Sequence, residues 1–543
     1  MDKTIYYDVA ITQAARLLGL LDRNINSKTY GCFDRNYWHY KITDFPCVRH
    51  QEAALTLSLL YKLNRKDNPY FRNSNILRWI NASLKFWCSI QNKDGSFNEW
   101  YPNEKSFAVT AFSSYTASEC LLTNKSIRGK SQIVASLRKS GNWLLKRSDF
   151  HATNQTSGAI LLLYNLYKLT NERKYLKACR DKLSRLIKKQ TPEGWWNEYN
   201  GADIGYHSLT IDYLSKLLKK FSDQRLKNAI DKGIEFLSHF IHPNFTFGGE
   251  YGSRNTEFMI PHGIELSAGH NKDAASIAHA IRNSLKDSSA IGPYSLDDRY
   301  LCCIAYTWLQ AYLDAKDTLK TPQYRFNSNF TKNFLGARLL VISNNKFYLI
   351  INYAKGALFR FYPKNVSGFF HDSGMLAVDE KSNILTSSWI ADNTTEIGPD
   401  SIMVKGRLLK LRDEPMTTLK SISLRAFAKT FGNSQTLSSM MKNALRKRLI
   451  ISSRKSSAHF TRQLWIGKKS IKVVDTLASK HKLKDVFLGE KYSNLFIPSS
   501  RYFQLQELNN KPLEFTGINK KSFKVERTLV YNKNKIEAKV KVG

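Results

Sequence analysis

The sequence is poor in the residues and patterns that define several large protein classes. Its seven cysteines, Cys32, Cys47, Cys88, Cys120, Cys179, Cys302 and Cys303, are odd in number and contain no Cys-x-x-Cys pair. A small disulfide scaffold is therefore excluded, a structural zinc site has no ligand spacing to rest on, and the thiols read as free and buried in a reducing compartment. Only 13 of the 543 residues are proline, while 42% are hydrophobic and 12% aromatic. That composition excludes disorder and collagen and supplies ample material for large cores. The apolar runs are short and interrupted by charge, so no membrane span is expected. The N-terminus shows no basic start, apolar centre and small-residue cleavage site, which leads to the expectation of a cytoplasmic protein. No phosphate-binding or dinucleotide glycine fingerprint is present, so no cofactor is expected.

Negative charge is also scarce. Against 83 Lys and Arg stand 45 Asp and Glu, a formal net charge of +38. The excess is steepest after residue 330, with 38 basic against 15 acidic residues there and 45 against 30 before. So large an imbalance repels itself unless a polyanion or anionic surface relieves it. Nucleic acid, anionic lipid and acidic polysaccharide all qualify by charge. No helix-turn-helix, zinc-finger or RNP signature is present, which turns the expectation away from nucleic acid.

What the chain does have is helical periodicity. From about residue 8 to 316, apolar residues recur at i, i+3, i+4 and i+7 in about twelve segments, among them 8–24, 47–66 and 256–269, which pair into six hairpins. Short polar turns such as Thr170-Asn171-Glu172 separate hairpins, and longer loops lie within them, at roughly 25–46, 92–103, 148–155, 189–206, 240–255 and 288–296. If sequential hairpins close into a ring, all six long loops fall on one rim. Three loops resemble one another: Gln91-Asn-Lys-Asp-Gly-Ser-Phe-Asn-Glu-Trp100, Gln190-Thr-Pro-Glu-Gly-Trp-Trp-Asn-Glu-Tyr199 and His242-Pro-Asn-Phe-Thr-Phe-Gly-Gly-Glu-Tyr251. Such self-similarity marks a repeat architecture, with Phe97, Trp195 and Phe247 as plugs. Beyond residue 330 the pattern changes to period two with β-branched clusters, at 338–343, 346–353, 470–475, 522–526 and 536–542, as in a many-stranded antiparallel sandwich. One helix is expected near 434–448. The fold class expected is thus α+β and multidomain: an (α/α)6 toroid over 1–320, closed or incomplete, followed by a basic antiparallel β-sandwich over 333–543.

The rim loops hold the candidate site. Tyr37, Trp38 and Arg35 lie in a dense aromatic run suited to sugar rings, whose C–H faces are apolar and whose hydroxyls take hydrogen bonds. Asn154 enters a helix and is equally readable as its N-cap. His207 starts the next helix, where the dipole disfavours the imidazolium and so suits a general base. Tyr206 precedes it. Arg254 and Asn255 could neutralise a carboxylate, and Tyr251 could exchange a proton. Glu99, Trp100, Glu198, Asp203, Glu250 and Arg299 complete the candidate substrate contacts, Arg299 being readable also as the partner of a capping carboxylate cluster at Asp297 and Asp298. Those two aspartates with His262 match no standard ligand set, so no metal is expected.

A helical ring with one decorated rim, followed by a basic sandwich, resembles the toroid polysaccharide lyases of the heparinase II/III and alginate lyase type. The resemblance implies an acidic, uronate-containing polysaccharide as substrate and β-elimination after removal of the C5 proton. By residue type and location it implies Asn154 or Arg254 as neutraliser of the carboxylate, His207 as base, and Tyr206 or Tyr251 as acid. The chemistry needs such groups because the C5 proton becomes removable only when the enolate-like charge is stabilised. A uronyl C5-epimerase would use the same equipment, a glycoside hydrolase would need paired carboxylates such as Glu99, Glu198, Asp203 or Glu250, and a non-catalytic polyanion-binding protein would need charge alone.

Overall fold

In a computed structural model of the chain, the residues described are 2–364, 368–411, 415–432, 434–446, 454–467, 470–489, 499, 502–504, 507–508, 513–532 and 535–542. An N-terminal helical region is followed by C-terminal sheets. Helices run from Thr4–Ile11 to Tyr306–Asp314, and the first packs against the last, with the Tyr7 and Tyr312 rings 5.5 Å apart. Several expected helices are interrupted. The segment expected over 8–24 is split into Thr4–Ile11 and Ala14–Leu20, the one over 47–66 begins as a 3-10 turn, Val48–Glu52, and the one over 256–269 starts only at Pro261, a residue suited to the first helical turn. Among the described residues, no helix is long and apolar enough to cross a membrane.

The three similar loops are one turn used three times. Asn92, Thr191 and His242 each accept an N–H from the residue three positions on (Gly95, Gly194, Phe245) and donate their own N–H to the carbonyl four on (Ser96, Trp195, Thr246), at 2.9 to 3.1 Å. Gly95 and Gly194 take φ of +94° and +98°, and a Cβ on either would stand 2.4 Å from a backbone oxygen of the neighbouring helix. In the third loop Phe245 holds that left-handed position, at φ +57°. The plugs that follow are Phe97, Trp196 and Phe247, all buried; Trp196 rather than Trp195 occupies the equivalent place.

Strands β1 (Phe330–Phe334), β2 (Leu339–Ser343), β3 (Phe347–Asn352), β4 (Leu358–Pro363) and β5 (Phe370–Asp372) form a meander. Every residue of β3 and β4 is buried, because both faces of this sheet are covered. Side chains alternate across a strand: Tyr348, Ile350, Leu358 and Tyr362 join the core of the helical region, whereas Phe347, Leu349, Ile351, Phe359 and Phe361 join a second core. That second core is shared with a nine-stranded sheet built from β6 (Met375–Asp379), β7 (Ile384–Thr386), β8 (Thr394–Ile397), β9 (Ser401–Lys410), β10 (Arg454–Ile466), β11 (Ser470–Leu488), β12 (Leu513–Phe515), β13 (Lys520–Asn532) and β14 (Lys535–Val542). Its main path runs β10, β9, β7, β6, β11, β13, β14.

Between β9 and β10 the chain leaves the sheet as two helices, Thr418–Thr430 and Gln435–Arg446, where one was expected. They reach back to the loop that precedes helix Phe107–Thr123. Asn103 Nδ2 donates to Ala428 O at 3.0 Å, Ser438 Oγ to Asn103 O at 3.0 Å, and Lys442 Nζ to Glu104 Oε1 at 3.1 Å.

Candidate active site

A cavity of about 140 Å³ opens where the rim loops converge, lined among others by Arg49, Glu99, Trp100, Asn154, Tyr199, Tyr206, Arg254 and Tyr300. Asn154 is the second residue of helix Thr153–Thr170, whose N-cap position is Ala152. It is thus not the cap. Glu198 does that work from the neighbouring loop, accepting Asn154 N and Asn154 Nδ2, each at 2.8 Å. Burial pushes the Glu198 carboxyl well above the usual carboxylate range, against those two donors.

Asp203 performs the same service for helix Ile204–Lys220. It accepts Tyr206 N at 3.1 Å and also Arg254 N at 2.8 Å, and it bonds the Thr256 hydroxyl. One fully buried carboxylate therefore fixes the helix start that carries Tyr206 to the loop that carries Arg254. The Arg254 guanidinium lies 4.6 Å from the centre of the Tyr199 ring. Tyr199 and Asn200 both have left-handed backbones, at φ +53° and +72°, and the kink directs the ring toward the cavity. Tyr206 bonds Ser499 Oγ through its hydroxyl at 2.7 Å. Burial raises the phenol, and the Arg254 charge opposes that rise.

His207 lies elsewhere. Successive helical residues are 100° apart, so Tyr206 and His207 cannot face the same side. The imidazole packs against Trp196 and Phe236, bonds Gly233 O at 3.1 Å through Nε2, and is lowered to about 4 by burial. Tyr251 is likewise behind the cavity, fully buried, its hydroxyl 2.8 Å from His242 Nε2. Glu250 is bound by Arg360, and Asn255 accepts Lys355 Nζ at 2.7 Å. Arg35, Tyr37 and Trp38 form a short helix away from the cavity, with Trp38 Nε1 donating to Leu20 O at 2.8 Å. Arg299 pairs with Glu99 and stands 4.3 Å from the Trp100 ring. Asp297 caps the helix Asp298–Ile304, and His262 pairs with Asp314 at 2.7 Å, so the two halves of the suggested ligand group are engaged separately.

Of the predicted residues the cavity brings together Asn154, Tyr206, Arg254, Glu99 and Trp100. Tyr199, Arg49, Gln155 and Tyr300 escaped the sequence reading. Tyr199 had a signal, since it follows Glu198 in the repeated loop; Arg49 had none, being a cation inside an apolar helical pattern, where it is bound to Glu52 at 3.0 Å. Glu99 is the single carboxylate among the lining residues described.

No family model matches the sequence, and no curated protein matches it. Solved structures do. The chondroitin AC lyase of Streptomyces coelicolor A3, in complex with chondroitin sulphate, superposes with a TM-score of 0.57 at 9% identity over 89% of this chain and 67% of its own. A Paenibacillus xanthan lyase gives 0.49 at 10% identity, over 97% of this chain and 57% of the other. The chain thus spans about two thirds of the first and little more than half of the second. The first likeness shows a shared fold, that of a polysaccharide lyase.

Proposed function

We propose that the chain is a polysaccharide lyase that acts on an acidic, uronate-containing glycan by C5-proton abstraction and β-elimination, with its helical region a toroid carrying the chemistry over 1–320 and the sheets over 333–543 bracing it. The observation that carries this reading is the convergence of Asn154, Tyr199, Tyr206 and Arg254 on one cavity. Arg254 and the Asn154 amide meet the uronate carboxylate and stabilise the charge that moves onto it. Tyr206, as phenolate, takes the C5 proton. The C5–H electron pair becomes the new C4–C5 double bond, the C4–O4 bond breaks, and the phenol returns a proton to the leaving oxygen. Arg254 serves twice, because the same charge favours the phenolate against burial. In this reading the base is Tyr206 and not His207, which faces Trp196. A single carboxylate among the described lining residues, itself paired to Arg299, does not supply the acid and base of a glycosidase.

The test is a panel of uronate glycans headed by chondroitin sulphate, the ligand of the lyase of like fold. It is run in heavy water, with ultraviolet absorbance of the conjugated product and deuterium at C5 both recorded. The expected result is new absorbance with chain shortening, reduced about a thousandfold or more in Tyr206→Phe. Deuterium without shortening would identify an epimerase and refute the lyase.

A further inference from the structure

A second cavity, of about 890 Å³, lies beside the first. The two share a wall of consecutive residues: Phe107, Thr153 and Asn200 face the larger one, while their neighbours Ala108, Asn154 and Tyr199 face the smaller. The larger cavity is basic and aromatic. Lys105, Arg147, Lys189 and Lys442 line it, together with Trp143 and Phe150, against one carboxylate among the described residues, Asp149. Asp149 is buried and accepts His151 N at 3.0 Å. Arg147 lies 4.3 Å from the Trp143 ring centre and Lys189 4.9 Å from that of Phe150. Neither has a carboxylate within ion-pair distance among the described residues, whereas Lys105 and Lys442 are paired to Asp94 and Glu104.

Two features distinguish this cavity from an ordinary basic surface. Its far wall is helix Gln435–Arg446, which the C-terminal sheet sends back across the rim. Glu104 also ties that wall to the first cavity, since Oε1 accepts Lys442 Nζ at 3.1 Å while Oε2 accepts the backbone N–H of Glu99 and of Trp100, at 2.9 and 2.8 Å.

We propose that this cavity is an anion subsite of the same glycan chain: while one uronate occupies the reaction cavity, Arg147 and Lys189 hold an oxyanionic group, sulphate or carboxylate, on a sugar further along. The proposal rests on the glycan substrate read above, but on binding and not on the elimination. The Trp143 and Phe150 rings hold the two cations in place beneath the anion. A single layer of residues separates the two cavities, so a glycan lying across that layer would place sugars of one chain in both. The enzyme would consequently favour long, highly charged chains over short ones.

Binding is measured by titration calorimetry at several salt concentrations, with Tyr206→Phe protein so that nothing is cleaved. The probes are chondroitin sulphate decasaccharides, the same chains desulphated, and disaccharides. Adding Arg147→Gln and Lys189→Gln should weaken decasaccharide binding about tenfold and flatten its salt dependence by about two counterions, and leave the disaccharide affinity in place. Lys189→Glu, a change at an exposed position, should do part of this alone. A loss confined to sulphated chains assigns a sulphate, and an equal loss with desulphated chains assigns a carboxylate. Equal affinity and equal salt dependence with and without the two substitutions would overturn the proposal, as would no binding of decasaccharides by the Tyr206→Phe parent. Unsaturated product is read separately with the unsubstituted enzyme, so loss of binding without any elimination in that enzyme would uphold the subsite and sink the lyase.

Discussion

Arg360→Met isolates the part that the sheets play in the site. Arg360 is one of the β4 residues that alternation aims at the helical region. It reaches Glu250 Oε2 through Nε and Nη2 at 2.9 and 2.7 Å and Glu257 Oε1 through Nη2 at 3.0 Å. All three groups are at most 4% exposed. Removing the guanidinium leaves two buried carboxylates without their cation, and breaking one such pair costs about 3–5 kcal/mol. Gly249 fits over the same group, since a Cβ there would stand 2.4 Å from the guanidinium carbon. Because, at about 2.1 cal/mol/K per residue, a kcal/mol shifts the melting temperature of a unit of about 320 residues by about 1.5 °C, the calorimetric transition should fall by about 4–7 °C. Arg254 lies between Glu250 and Glu257 in sequence, so activity at a temperature where the variant is folded should fall with it. Arg360→Lys should recover the charge but not the fork, and should melt in between. A fall of less than about 2 °C in Arg360→Met would refute the claim that this ion triad holds the loop.

The position of His207 carries a pH prediction. Its imidazole is lowered from 6.5 to about 4 by burial, so between these values the unfolded chain binds the extra proton and the folded one does not. The contribution of His207 to stability should therefore fall as pH drops from 6.5 to 4 and level off below, by about 3 kcal/mol; His207→Leu should flatten that limb in pH-dependent unfolding, and an unchanged slope would sink the reasoning. Gly263 sits where helix Pro261–Ala268 crosses Ile204–Lys220, and a Cβ on it would stand 2.4 Å from Asp212 Cα. Gly263→Ala should cost about 1–3 kcal/mol in denaturant unfolding, because backbone and not a flexible tip must move; an unchanged midpoint would show that the helices separate freely.

Helical periodicity before residue 316 and alternation after 330 were legible because each is a property of neighbouring residues. The repeated rim turn was legible too, since Gly95 and Gly194 stand where the backbone is left-handed and presses on the next helix. In the third copy the loop was legible but its left-handed position was not, because Phe245 takes that conformation without a glycine. The double burial of the meander sheet shows in the sequence only as apolar runs such as Phe347–Ile351, and nothing in them says which layer lies on each side.

Site membership was decided by tertiary structure. Asn154, Tyr206 and Arg254 belong to one cavity because Glu198 and Asp203, two carboxylates the sequence offered as substrate contacts, are spent on fastening helix starts to loops more than forty residues away. Between Tyr206 and His207 the choice came down to 100° of helix rotation, which composition cannot report until the packing partners, Trp196 and Phe236, are in place. The chain alone determined what elements form and that basic charge is in large excess; which side chains line one cavity depends on contacts between segments far apart in sequence, and only the folded arrangement brings them together.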